Sequence, residues 1–271
     1  MPELPEVETT RRGIEPWLTG HRIERAVVRN RRLRWHLPAG FESRLAGRRV
    51  RAVTRRAKYL LVGTDAGTLL IHLGMSGSLR VLPADTPVFV HDHVDLVLDS
   101  GQCLRFNDPR RFGSMHWVEG DPGEHELLKT LGPEPLEPGF DGDHLWHRAR
   151  GRRVAIKQFI MDAHVVVGVG NIYASEALFR AGIRPGLAAG RVSRARMAVL
   201  ARAIQAVLGE AIEVGGTTLR DYVGADGSPG YFRQKLYVYE RAGKPCRKCR
   251  KPIRQAVMGQ RSTYWCPNCQ R

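Results

Sequence analysis

The stretch "KYLLVGTDAGTLLIHLG", residues 58–74, decides the architecture. Two short runs rich in Leu, Ile and Val flank an Asp-Ala-Gly turn, and neither run is long enough to complete a stable helix. Similar runs lie on both sides: "RIERAVV" at 22–28, "RRVRAVT" at 48–54, "GSLRVL" at 77–82, "HVDLVLD" at 93–99 and "QCLRFND" at 102–108, the last two separated by "DSG". Strands that follow one another without helices between them pair antiparallel, and the simplest closed arrangement is a β-sandwich. Before them, Leu4, Val7, Ile14 and Leu18 share one face at helical spacing, which predicts a helix from residue 3 to about 17.

Pro and Gly thicken in "LGPEPLEPGFDGD", residues 131–143, and beyond it the hydrophobic period changes. "RRVAIKQFIMDA" (152–163), "NIYASEALFRAG" (171–182) and "SRARMAVLARAIQAVLGEAIEVGG" (193–216) read as helices. In the last, Met197, Leu200, Ile204, Val207, Leu208 and Ala211 form a core stripe. The chain is therefore expected to be an α+β multidomain protein, with a boundary near 132 and a linker leading into the helical region over 133–150.

Lys and Arg total 43 against 27 Asp and Glu, a formal charge of +16, and the sequence pI is near 10.3. Arg clusters at 31–34, 48–56 and 148–153 point to a polyanionic partner, foremost nucleic acid. No apolar run is long enough to span a membrane, and residues 1–20 lack the pattern of a secretory signal, so the expected location is the cytoplasm. Cys103 alternates with apolar residues in a strand and reads as a buried, inert thiol. The other four cysteines follow C-x2-C-x16-C-x2-C (Cys246, Cys249, Cys266, Cys269), a spacing that suits one tetrahedral structural zinc. Two short strands meeting at Gly259 fill the interval, and residues 241–271 hold nine Lys or Arg and no acid. Spacing alone fits a hairpin zinc finger on DNA, and equally a ribosomal or transcriptional zinc ribbon.

Three further stretches carry chemistry. "MPELPE" at 1–6 has two readings: a helix start with Pro in the first turn and Glu at the positive end of the dipole, or an N-terminal secondary amine beside a carboxylate once Met1 is removed. "VVVGVGNIYASE" at 165–176 places glycines where a helix begins, so Asn171 is either an N-cap or a phosphate donor. "GGTTLRDYVGADGSPGYF" at 215–232 has five glycines and reads as a lid or binding loop.

Together, "MPELPEVETTRRGIEP" (1–16), "RRAKYLL" (55–61), "HLGMSGSLR" (72–80), "NDPRRFG" (107–113), "VVGVGNIYASEALF" (166–179), the 215–232 loop and the four cysteines make the chain resemble the bacterial formamidopyrimidine-DNA glycosylases over its whole length. The resemblance implies a catalytic β-sandwich with an N-terminal helix (1–132), a helix-two-turns-helix DNA-binding domain (151–235) with a lesion-capping loop at 217–232, and a hairpin zinc finger (236–271).

It also implies removal of Met1 and attack by the Pro2 amine on C1′ of an oxidised purine nucleotide, followed by β- and δ-elimination. Such an amine is free more often than a lysine at neutral pH, since α-amino groups titrate at about 8 and lysine at about 10.4. Its iminium cannot discharge by losing an N–H proton. In this reading Glu3 is the acid/base on the sugar, Glu6 positions the amine, and Lys58 contacts phosphate and assists at the lesion. Met75, Arg110 and Phe112 fill the void left by the extruded base, although ordinary burial preferences place Met75 and Phe112 in the core. His93, Lys157, Asn171 and Arg261 are further DNA contacts, the last three to phosphate. The partner is double-stranded DNA carrying oxidised purines or abasic sites, bound by a monomer with one zinc. Two alternatives remain: an endonuclease VIII-type glycosylase for oxidised pyrimidines, and a catalytically silent zinc-containing DNA-binding protein.

Overall fold

The computed structural model describes residues 2–216 and 236–271, which group into two units: 2–129 with 214–216, and 130–213 with 236–271. The 217–232 loop lies outside the described residues.

The first unit opens with helix α1 (Leu4–Leu18), followed by β1 (Ile23–Val28), a short helix α2 (Phe41–Leu45), β2 (Val50–Arg56), β3 (Tyr59–Thr64), β4 (Thr68–His72), β5 (Ser78–Pro83), β6 (Asp92–Leu98), β7 (Gln102–Asn107) and β8 (Ser114–Val118). The strands form two four-stranded sheets, ordered β1-β6-β7-β5 and β2-β3-β4-β8. All neighbours run antiparallel. Leu60 and Val62, Leu69 and Ile71, Val94, Leu96 and Leu98, and Leu104 and Phe106 point into one shared core. Val7, Ile14 and Leu18 of α1 join it, so the helix is part of the sandwich. The period-2 pattern thus gives the sandwich expected of it. α2 and β8 were not anticipated, because "FESRL" and "SMHWV" are too short to declare a period.

The outer face of β6 is closed by charge. Arg105, buried, makes a two-pronged bond to Asp95 (Nε to Oδ1 3.0 Å, Nη2 to Oδ2 2.9 Å) and donates to the Pro87 carbonyl at 2.9 Å. Burial pushes the Asp95 carboxyl up, but hydrogen bonds and charge from Arg29 and Arg105 outweigh it and hold its pKa below the ordinary value. Cys103 is buried beside this pair, and burial raises its thiol pKa, as an inert cysteine requires.

The second unit contains α3 (Gly142–Ala149), α4 (Ile156–Ile160), α5 (Asn171–Arg180), α6 (Arg194–Glu213) and the hairpin β9 (Arg254–Met258) with β10 (Arg261–Trp265). The α6 stripe is fully buried. α3, within the stretch read as a linker, packs on α6 so closely that a Cβ on Gly142 would lie 2.3 Å from the Ala198 Cα. α4 is far shorter than the helix expected over 152–163. Ala155 bridges to Ala188, and the N–H groups of Ile156 and Lys157 donate to Leu187 and Pro185, so the preceding chain is extended. α5 ends at Gly182, whose φ of +67° only glycine adopts readily.

The finger is continuous with the helices. Phe179 of α5 shares a cluster with Val238, Cys246, Ile253, Tyr264 and Cys266. The buried Glu176 carboxylate accepts from the backbone N–H groups of Tyr237, Val238 and Tyr239, each at 2.9 Å. Glu176→Gln replaces an acceptor oxygen with a donor facing donors. It is expected to destabilise the second unit by about 1–3 kcal/mol in urea denaturation of the full chain.

Candidate active site

The site residues of the first unit lie at the N-terminus of α1 and in the turns at one end of the sheet. Pro2 precedes α1, and Glu3 caps it. Glu3 and Glu6 form a reciprocal capping box, in which the Glu3 N–H donates to Glu6 Oε2 at 2.8 Å, and each is only 2% exposed. The two readings of "MPELPE" are therefore compatible: the capping box that starts the helix begins at the residue that follows Pro2. Two bonds fasten the helix to β2, from Arg55 Nε to Glu8 Oε2 at 3.2 Å and from Arg11 Nη1 to the Val53 carbonyl at 3.3 Å. Arg55 also donates to the Ala57 carbonyl at 3.0 Å, in the two-residue β2–β3 turn that presents Lys58. Ala57 has φ +55°, a conformation that costs a non-glycine residue about 1–2 kcal/mol.

His72 faces this turn from β4, its ring 4.9 Å from that of Tyr59. Its Nδ1 accepts the Gly74 N–H at 3.0 Å, which places the proton of the neutral ring on Nε2. Burial, then the charges of Lys58 and Arg34, pull its pKa down to about 4. His72 and Arg34 were not singled out in the sequence. Their signal was faint: a histidine inside the quoted "HLGMSG" and one arginine among four in a cluster.

Met75 and Phe112, placed in the core by burial preference, are instead 38% and 44% exposed. Arg110 is exposed and lies over the Phe112 ring at 4.9 Å. His93 is a correction: it is buried and its Nε2 donates to the Asp108 carbonyl at 2.8 Å, so it presents no edge to a ligand. The exposed imidazole of that segment is His91.

In the second unit, Lys157 is 1% exposed and donates to Asn171 Oδ1 (2.5 Å), the Ser262 carbonyl (3.1 Å) and Thr263 Oγ1 (2.7 Å). Its ammonium thus ties α4 and α5 to β10, a structural role where a phosphate contact was expected. Asn171 is the first helical residue, with Gly170 as N-cap, and its Nδ2 donates to the Ser262 carbonyl at 3.0 Å. Arg261 is exposed at the start of β10, after a turn whose Gly259 and Gln260 have φ of +56° and +59°. Two positive φ values in a two-residue hairpin loop match a type I′ turn.

The Sγ atoms of Cys246, Cys249, Cys266 and Cys269 all lie within 4.8 Å of one another. The 246–269 and 249–266 separations are 3.9 and 3.4 Å. Zinc–sulfur bonds of about 2.3 Å give tetrahedral edges of about 3.8 Å, so the four thiolates fit one structural zinc.

Three family models match in chain order: the formamidopyrimidine-DNA glycosylase N-terminal domain over residues 1–115, the H2TH domain of the same enzymes over 131–223, and a zinc finger found in FPG and IleRS over 243–271. A formamidopyrimidine-DNA glycosylase of Thioalkalivibrio sulfidiphilus is 62% identical over 271 residues, covering all of both chains. The chain belongs to the formamidopyrimidine-DNA glycosylase family. Among solved members, the Thermus thermophilus protein has a TM-score of 0.88 at 39% identity, covering 99% of this chain and 98% of that one. The Lactococcus lactis enzyme in complex with DNA containing an abasic site has a TM-score of 0.92 at 32% identity, covering 99% of each chain. Within a formamidopyrimidine-DNA glycosylase fold, the described residues contain no helix long and apolar enough to cross a membrane.

Two outcomes are expected. The folded-state pKa of His72 is depressed, so its contribution to stability is intact above about pH 6.5 and is lost as the pH falls through about 4. His72→Gln is expected to flatten that part of the stability profile, measured by urea midpoints at about pH 7.5 and 4.5. Stripping the metal with a chelator is expected to unfold the finger, seen as loss of the near-ultraviolet circular dichroism of Tyr264 and Trp265 together with DNA affinity.

Proposed function

We propose that this chain is a bifunctional base-excision-repair enzyme, a DNA glycosylase and abasic-site lyase acting on oxidised purines in double-stranded DNA as a cytoplasmic monomer. The observation that carries the reading is the buried pair of carboxylates that fixes the chain terminus: Glu3 follows Pro2 directly, and its N–H is held by Glu6.

With Met1 removed, the Pro2 nitrogen is a secondary amine. Its lone pair attacks C1′ of the damaged nucleotide, the bond from C1′ to the base breaks, and the base leaves with the electron pair and takes up the proton that the Pro2 nitrogen loses. Glu3 donates a proton to the sugar ring oxygen as the ring opens, giving an iminium between Pro2 and C1′. Loss of a C2′ proton sends electrons into the iminium and expels the 3′ phosphate, and a second elimination expels the 5′ phosphate. Hydrolysis of the iminium then regenerates the amine. Lys58, on its strained turn, supplies positive charge to the flanking phosphate. Arg261 contributes phosphate affinity that weakens as salt rises, without base selectivity. The basic chain and the relatives solved with lesion-containing DNA support the partner; the 217–232 loop is assigned to lesion capping.

Borohydride treatment of the protein on a duplex with one 8-oxoguanine opposite cytosine is expected to trap a covalent adduct that maps to Pro2. Glu3→Gln is expected to slow base release by about 100-fold or more. Trapping on thymine glycol but not on 8-oxoguanine would reassign the chain to oxidised pyrimidines. Tight binding without trapping on either would make it a silent DNA-binding protein.

A further inference from the structure

Two loops carry the residues assigned to filling the duplex: 73–77, between β4 and β5, with Met75, and 108–113, between β7 and β8, with Arg110 and Phe112. Beneath these exposed side chains lies a buried polar junction. Asp108 is fully buried, and among the described residues its carboxylate takes no ion pair. Its Oδ1 accepts from Ser76 Oγ at 2.6 Å, across the two loops, and its Oδ2 accepts from the Gly113 N–H at 2.8 Å, across its own loop. Its carbonyl accepts from His93 Nε2 at 2.8 Å and the Arg111 N–H at 3.2 Å. Ser76 closes the circuit, since its Oγ also accepts the Arg110 N–H at 3.2 Å.

Sterics hold the loops equally close. A Cβ on Gly74 would lie 2.3 Å from the Phe112 carbonyl carbon, and one on Gly113 would lie 2.6 Å from the Phe106 ring. Arg111, between the two functional side chains, is held at φ +55°. A buried carboxylate without a cation and a strained non-glycine residue are both costly, and they persist where the surroundings over-determine the geometry. Here that geometry is the spacing of Met75 against Arg110 and Phe112.

We propose that Asp108, acting through Ser76 and Gly113, is the positioning residue that locks the two loops into one rigid wedge, so that extrusion of a base is matched by immediate filling of its place. The inference rests on the glycosylase reading above and deepens it: Asp108 touches neither substrate nor reacting atoms, and its effect is confined to substrates that leave a void.

Asp108→Asn keeps the shape but removes the charge and one acceptor: with its oxygen on the Gly113 N–H, its Nδ2 meets Ser76 Oγ only by donating, which ends the donation of the Ser76 hydroxyl into the junction. Base release from an 8-oxoguanine:cytosine duplex is expected to fall by about tenfold or more, whereas cleavage of a single strand carrying an abasic site, where there is no stack to refill, stays within about twofold of wild type. Ser76→Ala is expected to share the pattern, and Ser76→Thr, which retains the hydroxyl, to restore duplex activity. A 2-aminopurine beside the lesion is expected to brighten more slowly in Asp108→Asn and Ser76→Ala, reporting delayed opening of the stack. Equal loss on both substrates, or no loss on the duplex, would overturn the proposal. Wild-type protein inactive on both would instead overturn the glycosylase reading beneath it.

Discussion

Everything in the first unit depends on holding still a part of the chain that ordinarily frays. The Glu3–Glu6 capping box does this by giving each of two buried carboxylates a backbone N–H at the positive end of α1, where negative charge is favoured. The box alone would not suffice, because a single helix in water is marginal. Val7, Ile14 and Leu18 bury the helix in the sandwich, and the Glu8–Arg55 bond fastens it to the strand whose turn bears Lys58. Burial raises the Glu8 carboxyl pKa, but hydrogen bonds from Arg11 and Arg12 and the charges of Arg11 and Arg55 hold it below the usual range. The tie therefore stays charged at neutral pH.

The same division of labour recurs in both units: a buried, fully bonded polar group underlies an exposed one. Asp108 lies beneath Met75 and Phe112, and Lys157 lies behind the hairpin that presents Arg261. Exposed side chains that meet a polyanion must be long and mobile at their tips, and their bases must not move, or binding would lose its geometric advantage. Packing of apolar side chains alone fixes a loop less sharply than a set of directional bonds that all have to be satisfied together.

The finger applies this principle at small size. It has too few apolar residues for a core of its own, so it draws on Phe179 of α5, on Glu176 as an acceptor for three N–H groups, and on a cysteine cluster of zinc-binding geometry.

Much of this was legible in the residue order. Period-2 runs on either side of short turns specify an antiparallel sandwich, the 197–211 stripe specifies a buried helix face, and two C-x2-C pairs specify a metal module, because each depends only on local spacing. The reading of Pro2 and Glu3 as catalytic came only from the joint resemblance of several stretches, since "MPELPE" by itself fits an ordinary helix start equally well. Tertiary structure decided the rest. His93 and His91 are two residues apart in one segment, yet one is bonded to the Asp108 carbonyl and the other exposed. Lys157 looks like any basic residue until its three acceptors, one 14 and two more than 100 positions away, are brought around it. Met75 and Phe112 look like core residues until their loops are seen to rise from the sheet. In each case, burial and bonding are set by partners distant in sequence, and local spacing carries no information about them.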